Sequence, residues 1–221
     1  MLYRNREEAG LRLAQELLEY KNERPIILAL PRGGVPVAFE IAKKLDVLFD
    51  VLVVRKLSAP GNSELGIGAI GPDDVKVLDY TIIKSLGIST QEIDQVEKVE
   101  KQELQKRVKL YRAEYPIPNL TDKLVILVDD GLATGVTAKA AISYILKQHA
   151  KELVVAIPVG ALDSVEGIRS IVRPMKDRVV CLYTPYDFVS VGLWYQDFSP
   201  VTDQEVVSLM QKARQLQLNS A

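Results

Sequence analysis

The chain has 221 residues, of which 48% are hydrophobic and 26% charged, and its formal net charge is −1. This length suffices for one well-packed domain with an appended segment and is short for two domains. The balanced charge, without a Lys/Arg run, disfavours a nucleic-acid surface as the main activity. No signal peptide is evident, and no apolar run approaches the roughly 20 residues that a membrane-spanning helix needs, so we expect a cytoplasmic protein that does not bind membranes. The single cysteine, Cys181, cannot form a disulfide within the chain and is expected to pack in the core.

Short β-branched runs alternate with amphipathic patterns along the chain. This alternation predicts an α/β class, a Rossmann-like three-layer fold around a central, mostly parallel sheet, in one domain over residues 1–221. The predicted strands are Pro25–Leu30, Asp50–Val54, Gly66–Ile70, Lys123–Val128, Leu153–Pro158 and Arg178–Tyr183. The predicted helices are Arg6–Tyr20, Val35–Leu45, Val136–Gln148, Ser164–Ile171 and Asp203–Gln217, the last opened by a capping box of Thr202 and Glu205.

One further helix, over residues 89–115, is predicted as a long, highly charged insertion. Ser89 and Glu92 form a second capping box at its start. Its apolar residues fall on one narrow stripe, so one thin face packs and the rest meets water. That stripe consists of Ile93, Val96, Leu104, Val108 and Tyr111. The pattern favours a solvated helix laid on the domain, with an arm that joins two copies in a homodimer as the alternative.

The segment Val125–Thr137 carries the strongest chemical pattern. An unbroken apolar run, typical of a parallel strand buried on both faces, ends at two carboxylates, Asp129 and Asp130. A glycine- and threonine-containing loop then leads into a helix, so its N–H groups and hydroxyls can meet an anion at the helix N-terminus. The carboxylates suit the hydroxyls of a sugar beside that anion. Together these features predict a site for a ribose 5-phosphate. The loop residues expected to contact it are Gly131, Ala133, Thr134, Gly135, Val136 and Thr137.

Two other interpretations of this segment were weighed. An ordinary nucleotide-binding P-loop needs a longer glycine spacing followed by Lys, whereas Gly131 and Gly135 are followed by Val136. Alternatively, the acids cap and solubilise a strand end while Thr134 and Thr137 cap the helix. The coincidence of all these features in one register favours the ligand site.

A second turn with similar chemistry follows the first predicted strand. In Pro31-Arg32-Gly33-Gly34, two glycines let the backbone approach a ligand, and Arg32 offers a fork of donors suited to phosphate oxygens. Parallel strands place this turn at the same sheet edge as Asp129. The sequence therefore predicts a pyrophosphate site here, with a plain strand-to-helix turn as the alternative.

A third segment, residues 55–64, is rich in turn-forming residues and has two cations at its base. We interpret it as a mobile lid, with Arg55 and Lys56 as catalytic cations and Glu64 as a weaker candidate. The alternative is that the two cations are surface charges on a hairpin.

A concentration of aromatic residues lies in the segment 183–200, which we interpret as a hood. Flat rings beside polar atoms suit stacking on a nitrogenous base, and Trp194 and Tyr195 are the candidates. Core or subunit-interface aromatics are the equally weighted alternative.

The segment Val125–Thr137 resembles the phosphoribosyl-diphosphate (PRPP) motif of the type I phosphoribosyltransferases. The turn at residues 31–34 and the run Val54-Arg55-Lys56 extend that resemblance, which is nearly end to end, to a bacterial family of predicted phosphoribosyltransferases of unestablished base specificity. The resemblance implies transfer of the phosphoribosyl group of PRPP to a nitrogenous acceptor with release of pyrophosphate. It also implies that the turn binds pyrophosphate, often through a cis non-proline peptide, and that the lid closes over it.

In the resulting mechanism, Asp129 and Asp130 act as catalytic carboxylates on the ribose. Mg²⁺ should arrive with the pyrophosphate, and no metal site built from protein side chains is expected. A non-catalytic protein of the same fold that binds PRPP or a nucleotide is the alternative, and a hydrolase is a third interpretation. The resemblance also indicates that Ala133 occupies the position where six-oxopurine enzymes carry an aspartate that contacts the purine.

Overall fold

The computed structural model describes residues 2–113 and 115–220, without the side chains of residues 64 and 217–220. The strands are β1 (Ile26–Ala29), β2 (Phe49–Val51), β3 (Arg55–Ala59), β4 (Asn62–Ile70), β5 (Lys76–Leu78), β6 (Leu124–Val128), β7 (Glu152–Val159) and β8 (Arg178–Tyr183). The α-helices are α1 (Arg6–Glu16), α2 (Gly34–Leu45), α3 (Tyr80–Ser85), α4 (Thr90–Arg112), α5 (Val136–Lys147), α6 (Leu162–Arg169) and α7 (Asp203–Ser220). Two 3₁₀ helices, η1 (Leu18–Glu23) and η2 (Val191–Trp194), complete the described elements.

The central sheet has five parallel strands in the order β2-β1-β6-β7-β8. Its inner strands are buried on both faces, and successive residues contribute to opposite cores. In β6, Ile126 and Val128 pack into the core with α1, α2 and α7, whereas Val125 and Leu127 pack into the core with α5 and α6. This is the predicted three-layer α/β architecture.

A smaller antiparallel sheet, β3-β4-β5, stands beside the central one. Residues 55–64, predicted as a lid without regular structure, are instead β3, a tight turn at Pro60 and Gly61, and the start of β4. The reason is visible in β3, where Leu57 and Ala59 are buried and alternate with less buried neighbours. The expectation of an irregular loop was therefore wrong, because the segment forms a hairpin, while its movement as a lid stays a prediction.

The charged helix α4 lies along the molecule, as the narrow apolar stripe predicts. Ile93, Leu104 and Tyr111 are buried, and Val96 and Val108 pack against the same core. The capping box at Ser89 is present in full. The polar face pairs with the small sheet and with the loop before β5, since Lys76 contacts Glu97 at 2.7 Å and Lys101 contacts Asp74 at 3.2 Å.

Several boundaries differ from the predicted ones. The first helix ends at Glu16 and continues as η1, and the strand predicted at Asp50–Val54 is β2. The short elements β5 and α3 were not predicted, although Asp79 caps α3 by accepting hydrogen bonds from the N–H groups of Thr81 and Ile82. Within residues 2–113 and 115–220, no helix is both long and apolar enough to cross a membrane.

Candidate functional site

The two predicted ligand loops meet at the carboxyl edge of the central sheet. Strands β1 and β6 are hydrogen-bonded neighbours in parallel register, with Ala29 opposite Val128, so the turn after β1 lies against the loop after β6. A Cβ on Gly33 would collide with the carboxylate of Asp130. A Cβ on Gly34 would lie 2.8 Å from the Val128 carbonyl oxygen. Glycine is therefore required at both positions by the close approach of the two loops.

The turn at residues 31–34 has the expected backbone. The Pro31–Arg32 peptide bond is cis, as the resemblance implies. The Arg32 side chain is 40% exposed, and its Nη1 lies 3.7 Å from Oδ1 of Asp203 at the start of α7. The Arg32 guanidinium is therefore accessible to solvent and loosely paired with an acid of α7.

Two adjacent carboxyl groups lie where β6 ends, and their surroundings differ. Asp129 Oδ1 accepts a hydrogen bond from the backbone N–H of Asp130 at 2.9 Å. Burial raises the pKa of Asp129 well above its ordinary value, and the charge on Asp130 raises it further. Burial also raises the pKa of Asp130, but the nearby Arg6 opposes that rise. Asp129 is therefore the carboxyl that retains a proton more readily.

The sequence did not predict Arg6 as a site residue. Its Nε donates a hydrogen bond to Asp130 Oδ2 at 2.8 Å. Arg6 opens α1 after the Asn5 cap and lies 124 positions from Asp130 along the chain, so no local spacing links them. A buried arginine in the first helical turn, where acids are favoured, was the one available indication.

Several residues of the loop 131–137 are accessible to solvent. Gly131 and Gly135 are buried, whereas Ala133 and Thr134 are exposed and Val136 and Thr137 are half-buried. Gly135 adopts φ 71°, a left-handed conformation, and begins α5. Gly131 packs against the side chain of Val191 in η2, where a Cβ would collide.

Helices that begin at this edge lack side-chain caps. No side chain caps α2 or α5, which follow β1 and β6, or α6, which follows β7, whereas Asn5, Asp79 and Ser89 cap α1, α3 and α4. In particular, the threonines of the loop do not cap α5. The alternative in which these threonines serve only as helix caps is therefore not observed. The first N–H groups of α5 therefore keep their hydrogen-bonding capacity for an anion, whereas in α2 the N–H groups of Gly34 and Val35 already donate to the carbonyl oxygens of Leu30 and Arg32 at 3.0 and 3.1 Å.

The hairpin β3-β4 brings one of its two cations to the loop. A Cβ on Gly66 would lie 3.3 Å from Lys56 Cδ and 3.9 Å from Val136 Cγ2, so Lys56 and the phosphate loop flank the same position. Arg55 points to the other face of the strand, where its Nε and Nη2 each lie 2.7 Å from Glu100 Oε2 on α4. The side chain of Glu64 is outside the described part of the chain.

The aromatic residues of the hood occupy two environments. Tyr195 is 3% exposed, and its hydroxyl donates a hydrogen bond to the Asp130 carbonyl oxygen at 2.6 Å. Its ring lies between those of Tyr3 and Phe198, so neither face is open to a base. Trp194 packs edge-on against Tyr183, with 5.2 Å between ring centres. Tyr195 is therefore not placed to stack on a base. Its ring is buried in the core, and its hydroxyl supports the backbone of Asp130.

A family model described as phosphoribosyl transferase domain matches residues 1–182. The chain belongs to this family. Over 212 residues it is 42% identical to a Mycobacterium tuberculosis protein named "Putative phosphoribosyl transferase". That match covers 96% of this chain and 47% of the relative, so the chain spans about half the length of the curated relatives it matches.

Two solved structures resemble this phosphoribosyl transferase domain. The crystal structure of TT1426 from Thermus thermophilus has 37% sequence identity and a TM-score of 0.79, and the match covers 96% of this chain and 99% of that one. A Neisseria gonorrhoeae protein crystallised with bound ppGpp has 13% identity and a TM-score of 0.52, covering 97% and 96% of the two chains. At that identity the second likeness concerns the fold alone.

The domain offers few carboxylates for a metal ion of its own. Among the described residues, no group of three or more His, Cys, Asp or Glu side chains is arranged to hold a metal. Of the two acids at the edge, Asp130 is already paired with Arg6.

Proposed function

We propose that the protein transfers the 5-phosphoribosyl group of PRPP to a nitrogenous acceptor and releases pyrophosphate. The observation that carries the proposal is the direct contact between the acid pair and the glycine turn after β1. That contact brings three features to one surface. They are the carboxyl pair, the N-terminus of α5 without a side-chain cap, and the turn into α2 that carries an arginine. A sugar that carries a phosphate at one end and a diphosphate at the other has the matching chemistry.

The 5-phosphate is assigned to the loop from Gly131 to Thr137. The free N–H groups at the start of α5 and the hydroxyls of Thr134 and Thr137 can donate to its oxygens. Anion binding there is favoured by the helix dipole as well as by hydrogen bonding. Ala133 and Val136 contribute backbone N–H groups and shape.

The ribose is assigned to the acid pair. Carboxyl oxygens accept hydrogen bonds from ring hydroxyls, and negative charge at this point favours the positive charge that develops on the ring as the bond to pyrophosphate breaks. Burial raises the pKa of both carboxyl groups, and Arg6 opposes that rise at Asp130.

The departing pyrophosphate is assigned to Arg32, the N–H group of Gly33 and Lys56, while Gly34, whose N–H already donates to the Leu30 carbonyl oxygen at 3.0 Å, allows the close approach of the backbone. Arg55 joins them on condition that it leaves Glu100. Mg²⁺ is proposed to enter with the substrate, where it neutralises part of the diphosphate charge. The acceptor is assigned to the side of the loop nearest the hood, where Trp194 is the remaining aromatic candidate for contact with a base.

The test is release of pyrophosphate from PRPP and Mg²⁺, measured with a panel of purines, pyrimidines and small aromatic acids. Acceptor-dependent release with formation of the nucleotide supports the proposal. PRPP binding by calorimetry without turnover for any acceptor would instead identify a regulatory PRPP-binding protein. Release with water alone would identify a hydrolase, and absence of PRPP binding would reject the ribose phosphate assignment altogether.

The cellular setting follows as a part of the same proposal. A transferase of this kind acts on small molecules in the cytoplasm and takes part in nucleotide metabolism. Homodimerisation stays a prediction, to be checked by the molar mass of the protein in solution.

A further inference from the structure

Arg6 is held at the acid pair from three directions. Its Nε donates to Asp130 Oδ2 at 2.8 Å, and its Nη1 donates to the Ser199 carbonyl oxygen at 2.9 Å. The guanidinium carbon lies 3.9 Å from the centre of the Phe198 ring. The Arg6 and Asp130 side chains are only 9% and 14% exposed. Because a carbonyl group and an aromatic face also fix the guanidinium, its position does not depend on the carboxylate alone.

Asp130 is enclosed on its remaining sides. Oδ2, the oxygen that Arg6 contacts, also faces Gly33 so closely that no Cβ fits between them. The Asp130 carbonyl oxygen accepts the hydrogen bond from Tyr195. Asp130 Oδ2 therefore has little room for a substrate hydroxyl. At Asp129 the neighbouring contacts are milder and lie on Oδ1, which accepts the Asp130 N–H bond at 2.9 Å and would be 3.2 Å from a Cβ on Gly34.

We propose that Arg6 is a positioning residue of this site, which holds Asp130 as the charged member of the pair and leaves the Asp129 carboxyl to meet the ribose hydroxyls. This inference rests on the proposed binding of PRPP. It assigns different roles to two acids that the sequence motif treats alike.

The physical basis is the cost of two negative charges side by side. Two adjacent buried carboxyl groups do not both ionise near neutral pH unless a cation compensates one of them, and they titrate as a coupled pair. A cation within hydrogen-bonding distance lowers a carboxyl pKa by roughly 1 to 3 units. Arg6 therefore decides which carboxyl ionises first and at what pH the pair becomes charged.

The other ionisable groups around the pair do not replace Arg6. Tyr195, which follows η2, is neutral, because burial raises its pKa. The turn into α2 presents two glycines to the pair, and these carry no charge. The pKa values of Asp197 and Glu205 are lowered mainly by hydrogen bonds within their own turns and to a smaller extent by Arg6. These acids therefore lie in the field of Arg6 without adding a cation at the pair.

The test compares Arg6→Gln with Arg6→Lys, and uses Arg12→Gln as the matched control. Arg12 is on the same helix, is 48% exposed and pairs with Glu8, so its loss is the same charge change away from the site. The pH titration of Asp129 and Asp130 is followed by NMR of protein labelled with ¹³C at aspartate carboxyl groups. We expect the apparent pKa of the pair to rise by about one unit or more in Arg6→Gln. Arg6→Lys should recover much of that shift, and Arg12→Gln should show none.

The same shift should appear in the acidic limb of the pH profile for PRPP binding. Identical carboxyl titrations in the wild-type protein and Arg6→Gln would overturn the inference. If Arg6→Gln does not fold, the wild-type titration decides, because the inference requires Asp130 to ionise at lower pH than Asp129 and the reverse order would overturn it. The titration needs no substrate, so failure of the wild-type protein to bind PRPP would reject the proposed function without affecting the result for Arg6.

Discussion

Among single residues, Asp129 gives the most specific prediction about PRPP binding. Asp129→Asn keeps the shape of the side chain but replaces a carboxyl oxygen that can accept a hydrogen bond from a ribose hydroxyl with an amide group that only donates, so we expect PRPP affinity or turnover to fall by at least about tenfold, or about 1.4 kcal/mol. Asp122→Asn is the control, since Asp122 precedes β6 at the opposite end of the strand and has a positive φ that asparagine tolerates. Calorimetric titration with PRPP measures both variants. Wild-type affinity in Asp129→Asn would remove this carboxyl from the ribose site.

Ala133 bears on the choice of acceptor. Its methyl group can neither donate nor accept a proton, and it is exposed within the loop 131–137. We therefore expect hypoxanthine and guanine to be poor acceptors, and adenine is the first base to test. In Ala133→Asp, transfer to hypoxanthine should increase relative to adenine. Transfer to hypoxanthine by the wild-type protein with kcat/KM above roughly 10⁴ M⁻¹s⁻¹, the lower range for ordinary enzymes, would contradict this expectation.

Among the elements, α4 has the most direct link to the proposed site, because it holds a candidate catalytic cation, Arg55. Both Nε and Nη2 of Arg55 lie 2.7 Å from Glu100 Oε2, and the two side chains are 25% and 21% exposed. An anion on Arg55 opposes the approach of pyrophosphate. Glu100→Gln should therefore tighten pyrophosphate binding by roughly fivefold, equivalent to about 1 kcal/mol.

The control for that change is Glu103→Gln, which removes the same charge from a more exposed position of α4 that pairs with Lys106. Dissociation constants for pyrophosphate with Mg²⁺ give the comparison. Weaker binding in Glu100→Gln, with no change in Glu103→Gln, would mean that Glu100 orients Arg55 toward the ligand instead of competing with it.

The elements differ in how far the sequence defines them. Capping boxes at Ser89 and Thr202 predict the starts of α4 and α7 because the interaction is local. The apolar runs predict β1 and β6 because strands buried on both faces lack alternation. The second half of β4 was predicted, but β3 and the start of β4 were not, because the turn-forming residues between them obscured the alternation of β3. Its pairing depends on the packing of α4 and α5 around it, which no local pattern contains.

For the molecule as a whole, the shared sheet edge was predictable and the tertiary support of the site was not. Parallel strands bring the turn at Gly33 and the acids at Asp129 together by a general rule of α/β sheets. The contacts of Arg6 and Tyr195 with Asp130 join the N-terminal helix, the loop after β6 and the hood across long separations in sequence. Such contacts follow from the completed fold, so the aromatic segment was predictable as a cluster while the burial of Tyr195 was not.

The last prediction concerns the stability of the whole molecule and rests on a buried ion pair that joins α4 to the central sheet. Arg112 is 2% exposed, and its Nη1 contacts Asp50 Oδ1 at 2.7 Å and the Val51 carbonyl oxygen at 3.1 Å in the edge strand β2. Loss of one partner leaves a buried charge without compensation, so Arg112→Met should lower the free energy of unfolding by about 3 kcal/mol. Lys109→Met, on the exposed face one turn earlier, should change it by less than about 0.5 kcal/mol. Urea unfolding measures both, and addition of Asp50→Asn to Arg112→Met should recover part of the loss, because the unpaired carboxylate is then removed. A double variant no more stable than Arg112→Met would show that packing of the arginine side chain, and not its charge, holds α4 to the sheet.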